Sequence, residues 1–231
     1  MTRATTDLVA RAVQRPLAER YEASATEVRR LMDAALTVIE HTGDLDPTVR
    51  AILTTAGLSN QAFYRHFCSK DDLIAALLED GRHQLAGYLR HRMAQAPNPQ
   101  AAVREWVAGI LAQAADPRVA ARTRPFLAHA DRLASRLPGE RRASEQAVID
   151  PLAEALSRMQ DTGTTQADGL CTHACDARTV YLLTMAILHD HLREGTHPGP
   201  QDTEHLIAFI FGGLSRGRAV PAQPAAAPPD A

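Results

Sequence analysis

Aromatic residues are scarce, at 4% of 231 positions, whereas alanine and leucine abound. That balance disfavours a sandwich or barrel core and suits helix packed on helix. Lysine is almost missing: Lys70 is the only one, and arginine carries the rest of the positive charge, a usage that fits a GC-rich bacterial genome. Net charge is −2, so no global basic field surrounds the chain, and any contact with a polyanion must be confined to one face. Three cysteines, an odd number, without a signal peptide speak against a disulfide framework and for a reducing cytoplasm. No apolar run is long enough to cross a bilayer, which predicts a soluble protein. Glycine-rich phosphate loops, a nucleophile elbow and catalytic-triad spacing are also lacking, so nothing argues for an enzyme or a bound cofactor.

What is present is a succession of helical periodicities, long enough in total for one or two domains with a buried core. Residues 1–23 form an N-terminal extension with Arg3, Arg11, Arg15 and Arg20 set against Asp7, Glu19 and Glu22. It reads either as a flexible, solvated tail with at most one helical turn near Leu8–Val13, or as an arm laying arginines on a polyanion. Ser24-Ala-Thr-Glu27 has the pattern of a capping box and predicts the start of the first full helix. Val28, Leu31, Met32, Ala35, Leu36 and Ile39 supply its apolar stripe until Gly43.

The most specific stretch is Pro47–Leu73. Val49, Ile52 and Leu53 precede Gly57 at helical spacing, and Phe63 and Phe67 follow it one turn apart. Gly57 suits a left-handed helix end, while Ser59 and Ser69 stand as N-caps for the next two helices. Asp46 could cap the first of these helices, with Pro47 as its first residue. Helix, glycine turn, helix is the helix-turn-helix plan, whose second helix enters the DNA major groove. Thr48-Val-x-x-Ile52, Ala56-Gly-Leu-Ser59, Phe63-Tyr-x-x-Phe67 and Ser69-Lys-x-x-Leu73 together resemble the DNA-binding domain of the TetR (tetracycline repressor) family of bacterial regulators, over about Thr26 to Leu78. Leu53 departs from the small residue usual there, so local packing should differ.

The resemblance implies an all-α fold: an N-terminal three-helix head at 24–72, then a helical bundle at 73–216 for effector binding and dimerisation. Residues 217–231, an Ala/Pro tail, have no core potential. By the family motif, Ser59, Asn60, Gln61 and Ala62 face the groove, where Asn and Gln can pair with adenine and the Ala62 methyl can touch thymine. Thr48, Tyr64, His66 and Lys70 would hold phosphates, while Phe63 and Phe67 pack inward. Between Ser24 and Lys70 five basic residues face five acidic ones, so helix N-termini must supply part of the phosphate binding.

Further on, a long helix starts at Ser69 and runs to about Gln95, another carries Trp106, and Pro125 is expected to interrupt the next. Pro138 and Gly139 end that one, Pro151 predicts a kink in the helix at 140–159, and 161–176 reads as a polar loop. The last two helices, at about 176–194 and 203–216, are apolar on more than one side, and in the family such helices pair across a dimer, where Gly212 and Gly213 would allow close approach. Trp106, Phe126, Met159, Tyr181, Met185 and His189 are candidate lining for an effector pocket, or simply core. Cys171-Thr-His173-Ala-Cys175 offers soft metal ligands and Cys68 a thiol at a helix start, although both also read as unremarkable thiols. The function implied is a ligand-responsive, DNA-binding transcriptional regulator, most simply a repressor on a palindromic operator. A metal- or thiol-responsive regulator and a helical enzyme or scaffold without DNA binding are the alternatives.

Overall fold

The computed structural model describes residues 2–43, 46–134, 138–161 and 170–216. Among them every regular element is helical: α1 Thr2–Thr42, α2 Val49–Ala56, α3 Asn60–His66, α4 Lys70–Ala94, α5 Pro99–Ala115, α6 Pro117–Ala134, α7 Pro138–Asp161, α8 Leu170–Glu194 and α9 Pro200–Arg216. The tail at 217–231 lies outside the described residues. The helices group into two compact units, Met1–Gln84 with Arg118–Glu145, and Leu85–Pro117 with Gln146–Ala231.

Several boundaries differ from the expected ones. The first helix does not open at Ser24; α1 is already continuous from Thr2, and the Thr26 hydroxyl donates to the Glu22 carbonyl at 2.8 Å as in a helix interior. Alanine and arginine favour helix on both sides of the apparent capping box, so no chain break is forced there. Asp46 does not cap α2. Thr48 does, its Oγ1 accepting from the Ala51 N–H at 3.1 Å, while Pro47 stays outside the helix. Pro125 does not interrupt its helix: α6 runs through it to Ala134, and Pro138, expected to follow that helix, opens α7, a position where its missing N–H costs nothing. The expected loop before Asp176 is shorter too, because α8 already begins at Leu170.

The core of the first unit joins Leu31, Ala35 and Ile39 of α1 to Ile52 and Ala56 of α2, Phe63 of α3, Phe67 at the C-cap of α3, and Leu73, Ile74 and Leu77 of α4. Leu31, Ile52, Phe63 and Leu73 are fully excluded from water, worth about 1.5–3 kcal/mol for each such side chain. Leu53, the departure from the family pattern, lies half-buried against this cluster, as does Phe126. In the second unit Trp106 is fully buried, donates from Nε1 to the Val148 carbonyl at 3.0 Å, and meets Tyr181 edge-on at 6.5 Å between ring centroids. There α5 comes close to α4 at Gly109, where a Cβ would lie 2.6 Å from Leu89 Cδ2.

Gly57 takes φ 62° and ψ 38°, and a Cβ there would stand 3.3 Å from Arg30 Nη2. Gly57→Ala should therefore destabilise the fold by about 1–2 kcal/mol, read from urea denaturation. An unchanged midpoint would contradict the need for glycine.

Candidate nucleic-acid interface

The turn between α2 and α3 is built by its caps. The N–H groups of Gly57 and Leu58 both return to the Leu53 carbonyl, the latter at 3.2 Å, closing the C-terminus of α2. Ser59 follows in an extended conformation, and its Oγ accepts from the Ala62 N–H at 3.2 Å to start α3. Behind α3, Ser69 and Asp72 form a reciprocal capping box: Asp72 N–H donates to Ser69 Oγ at 3.1 Å and Ser69 N–H to Asp72 Oδ2 at 3.0 Å. Three helix starts thus carry hydroxyl caps, at Thr48, Ser59 and Ser69, of which the sequence singled out the last two.

Of the residues matched to base reading, Ser59, Asn60 and Gln61 are exposed at the N-terminal end of α3. Ala62 is not: it is 5% exposed, its methyl turned into the domain, which places it away from the surface expected for a thymine contact. Tyr64 is 57% exposed, its ring seated edge-on against Phe63 at 5.2 Å. Thr48 is exposed as well, although its hydroxyl already serves as the α2 cap.

The charged candidates are already engaged. His66 Nε2 lies 2.8 Å from Glu27 Oε2, and the Arg65 guanidinium is 3.1 Å from the same oxygen. Lys70 pairs with Asp46. A phosphate would have to compete with these acids, which the alternation of charges in the sequence did not reveal because the partners lie 24 to 39 residues away.

A shallow cleft of about 380 Å³ runs between α2 and α3, lined by Val49, Arg50, Leu53, Thr54, Leu58, Asn60 and Tyr64. It brings Asn60 and Tyr64 together with Arg50 and Thr54, two exposed residues on α2 that the motif did not single out. The signal available was helical spacing: Arg50 and Thr54 are four apart and so share one face.

The effector candidates are less coherent. Trp106 and Tyr181 are buried core partners, Met159, Met185 and His189 are half-buried in the same unit, and Phe126 belongs to the first unit. The cleft on α8 and α9 is lined by other side chains, among them Leu183, Ile187, His205 and Phe209. The soft-ligand run at 171–175 lies within helical α8, where alternate positions are about 200° apart. Cys175 is exposed, and among the described residues no three His, Cys, Asp or Glu side chains are placed to share a metal ion. Cys68 is exposed directly before the α4 cap.

The hydrogen bond from His66, assisted by the charges of Arg65, His66 and Arg30, holds the Glu27 carboxyl below its ordinary value of 4.5. A lowered carboxylate stabilises the fold fully above the ordinary value, and that contribution fades as pH falls through the lowered one. The stability gap between the native chain and Glu27→Gln should thus be level above the ordinary value and shrink as the pH falls below it, measured by denaturant titration. A gap independent of pH would contradict the pairing.

The model of the bacterial regulatory proteins of the tetR family matches residues 31–77. The sequence has no significant match among curated proteins. The fold is similar to solved structures at low identity. A transcriptional regulator of Mesorhizobium loti assigned to the TetR family shares 19% identity at a TM-score of 0.61, covering 84% of this chain and 97% of its own. The fatty acid degradation regulator FadR of Bacillus halodurans shares 17% at 0.64, covering 81% and 96%. FadR of Bacillus subtilis, in complex with stearoyl-CoA, shares 16% at 0.60, covering 80% and 98%. The capped turn, the buried Phe63 seam and the match over 31–77 place the head of this chain in the tetR family of bacterial regulatory proteins, and the described helices carry the all-α fold of that family's structures.

Proposed function

We propose that the chain is a ligand-responsive transcriptional regulator that binds a palindromic operator as a homodimer, most simply as a repressor. The observation that carries this reading is the exposed set Ser59, Asn60, Gln61 and Tyr64 on a capped recognition helix beside Arg50 and Thr54. Asn60 and Gln61 read base edges, while Tyr64, Thr48, Arg50 and Lys70 fix the register on phosphates. Lys70 does so by exchanging Asp46 for a phosphate oxygen, a swap of one anion for another that costs little charge–charge energy. The domains divide the work as residues 24–72 for DNA and 73–216 for effector and dimer. Nothing in this assignment calls for catalysis, and a cytoplasmic site of action suits it; no helix among the described residues is long and apolar enough to cross a membrane.

Dimerisation through α8 and α9 is supported by what a single chain leaves uncovered. Leu182 is 52% and Phe209 65% exposed, on helices that also carry the buried Leu188, Leu192, Leu206 and Ile210. Water-exposed residues of that size on adjoining helices are what an interface core supplies. The small-molecule effector acts from the helical domain; a similar protein, Bacillus subtilis FadR, was solved with stearoyl-CoA. For the effector to release DNA it must bind the non-DNA state more tightly, by the factor with which it weakens the operator complex.

The two positive groups per protomer assigned to phosphates, Arg50 and Lys70, give a dimer a log–log salt slope of about −4 in fluorescence anisotropy. A slope near zero would refute the phosphate assignment. In the same assay Tyr64→Ala should weaken specific and random duplexes alike, whereas Gln61→Ala should relax base preference with little loss on random DNA; equal losses for both variants on both duplexes would undo that division. Phe209→Glu should shift sedimentation from dimer to monomer at micromolar concentration, and a variant that stays dimeric would move the interface elsewhere.

A further inference from the structure

Helices α2 and α3 are eight and seven residues long, too short to be stable alone, so their placement is decided entirely by what they pack on. The apolar core holds them against α1, but hydrophobic contact has little directionality and tolerates small rotations. The directional contacts come from two side chains three apart on α1. Arg30 Nη2 donates to the Ala56 carbonyl at 2.6 Å, meeting the negative end of α2 where the Gly57 turn leaves room for the guanidinium. Glu27 Oε2 accepts from His66 Nε2 at 2.8 Å and from Arg65 Nη1 at 3.1 Å, gripping the last turn of α3. Charge-assisted bonds of this kind are short and oriented, and His66 is largely shielded, its side chain 10% exposed.

We infer that Glu27 and Arg30 are positioning residues for DNA reading: together they clamp the C-terminal ends of both helices of the helix-turn-helix to α1 and so set the angle at which Asn60 and Gln61 are presented. The inference rests on the proposed DNA-binding function. It assigns to α1 a share of the base discrimination. Because the grip consumes the charges of Arg65 and His66, these side chains contribute to specificity through Glu27 and add little to phosphate attraction. Loss of the clamp lowers discrimination without weakening the electrostatic, sequence-independent part of binding.

The test uses the full-length chain and its Glu27→Gln, Glu27→Asp and Arg30→Gln variants. Amide hydrogen exchange in the absence of DNA reads the clamp itself, and affinities for a duplex selected from a randomised pool and for a scrambled duplex read its consequence. Glu27→Gln should raise exchange across 60–66 about tenfold, and Arg30→Gln across 54–58, with α8 unchanged. Discrimination between the two duplexes should fall about tenfold in both, at scrambled-duplex affinity equal within about threefold, and Glu27→Asp should recover most of it. Unchanged exchange, or losses equal on both duplexes, would overturn the inference. A native chain that enriches no sequence would instead overturn the DNA-binding reading and with it the role in discrimination, while the exchange data would still show whether the clamp exists.

Discussion

The head of this protein depends on the exclusion of Phe63, Ile52, Leu31 and Leu73 from water. Each belongs to a different helix, and none of the short helices could persist without that shared seam. The seam also explains why Phe63 and Phe67 recur one turn apart: both must point inward for α3 to close against α1 and α4. With Phe63 committed to the core, its neighbour Tyr64 is left outside, and Asn60, one turn before Tyr64, lies on the same open face as the Arg50–Thr54 strip of α2. The surface is therefore a consequence of the core, since inward and outward positions are locked together by the helical period.

Charge plays a secondary part. Near neutrality overall, the chain also spends its cations locally, with Arg65 and His66 on Glu27 and Lys70 on Asp46. Such exposed pairs contribute little to stability, but they hold side chains in place and lower the non-specific pull on DNA. A regulator built this way relies on two heads placed correctly rather than on a strong field around one. In the dimer proposed above, the exposed Leu182 and Phe209 on α8 and α9 form the surface that places them.

Much of this was legible in the sequence, and for local reasons. Gly57, Ser59 and Ser69 act through bonds spanning two to five residues, so their roles follow from the pattern alone. The alternating burial around Phe63 and Phe67 follows from the helical period. What escaped was either non-local or ambiguous. The partners of His66 and Lys70 come from α1 and the segment before α2, which no local spacing encodes. Ser24–Glu27 has the composition of a cap but lies inside α1, where the Thr26 hydroxyl donates to the Glu22 carbonyl as in a helix interior. Ala62 looked like a surface methyl until the tilt of α3 turned it inward, and Trp106, conspicuous as the single tryptophan, proved to be a core residue bonded to the Val148 carbonyl.

The central claim, that two tetR-type heads read DNA together through geometry, is tested most directly by selecting duplexes from a randomised pool with the full-length protein. The account predicts enrichment of an inverted repeat whose half-site centres lie about one helical turn, or a small multiple of it, apart. Enrichment of no sequence, or of a single unrepeated half-site, would contradict it.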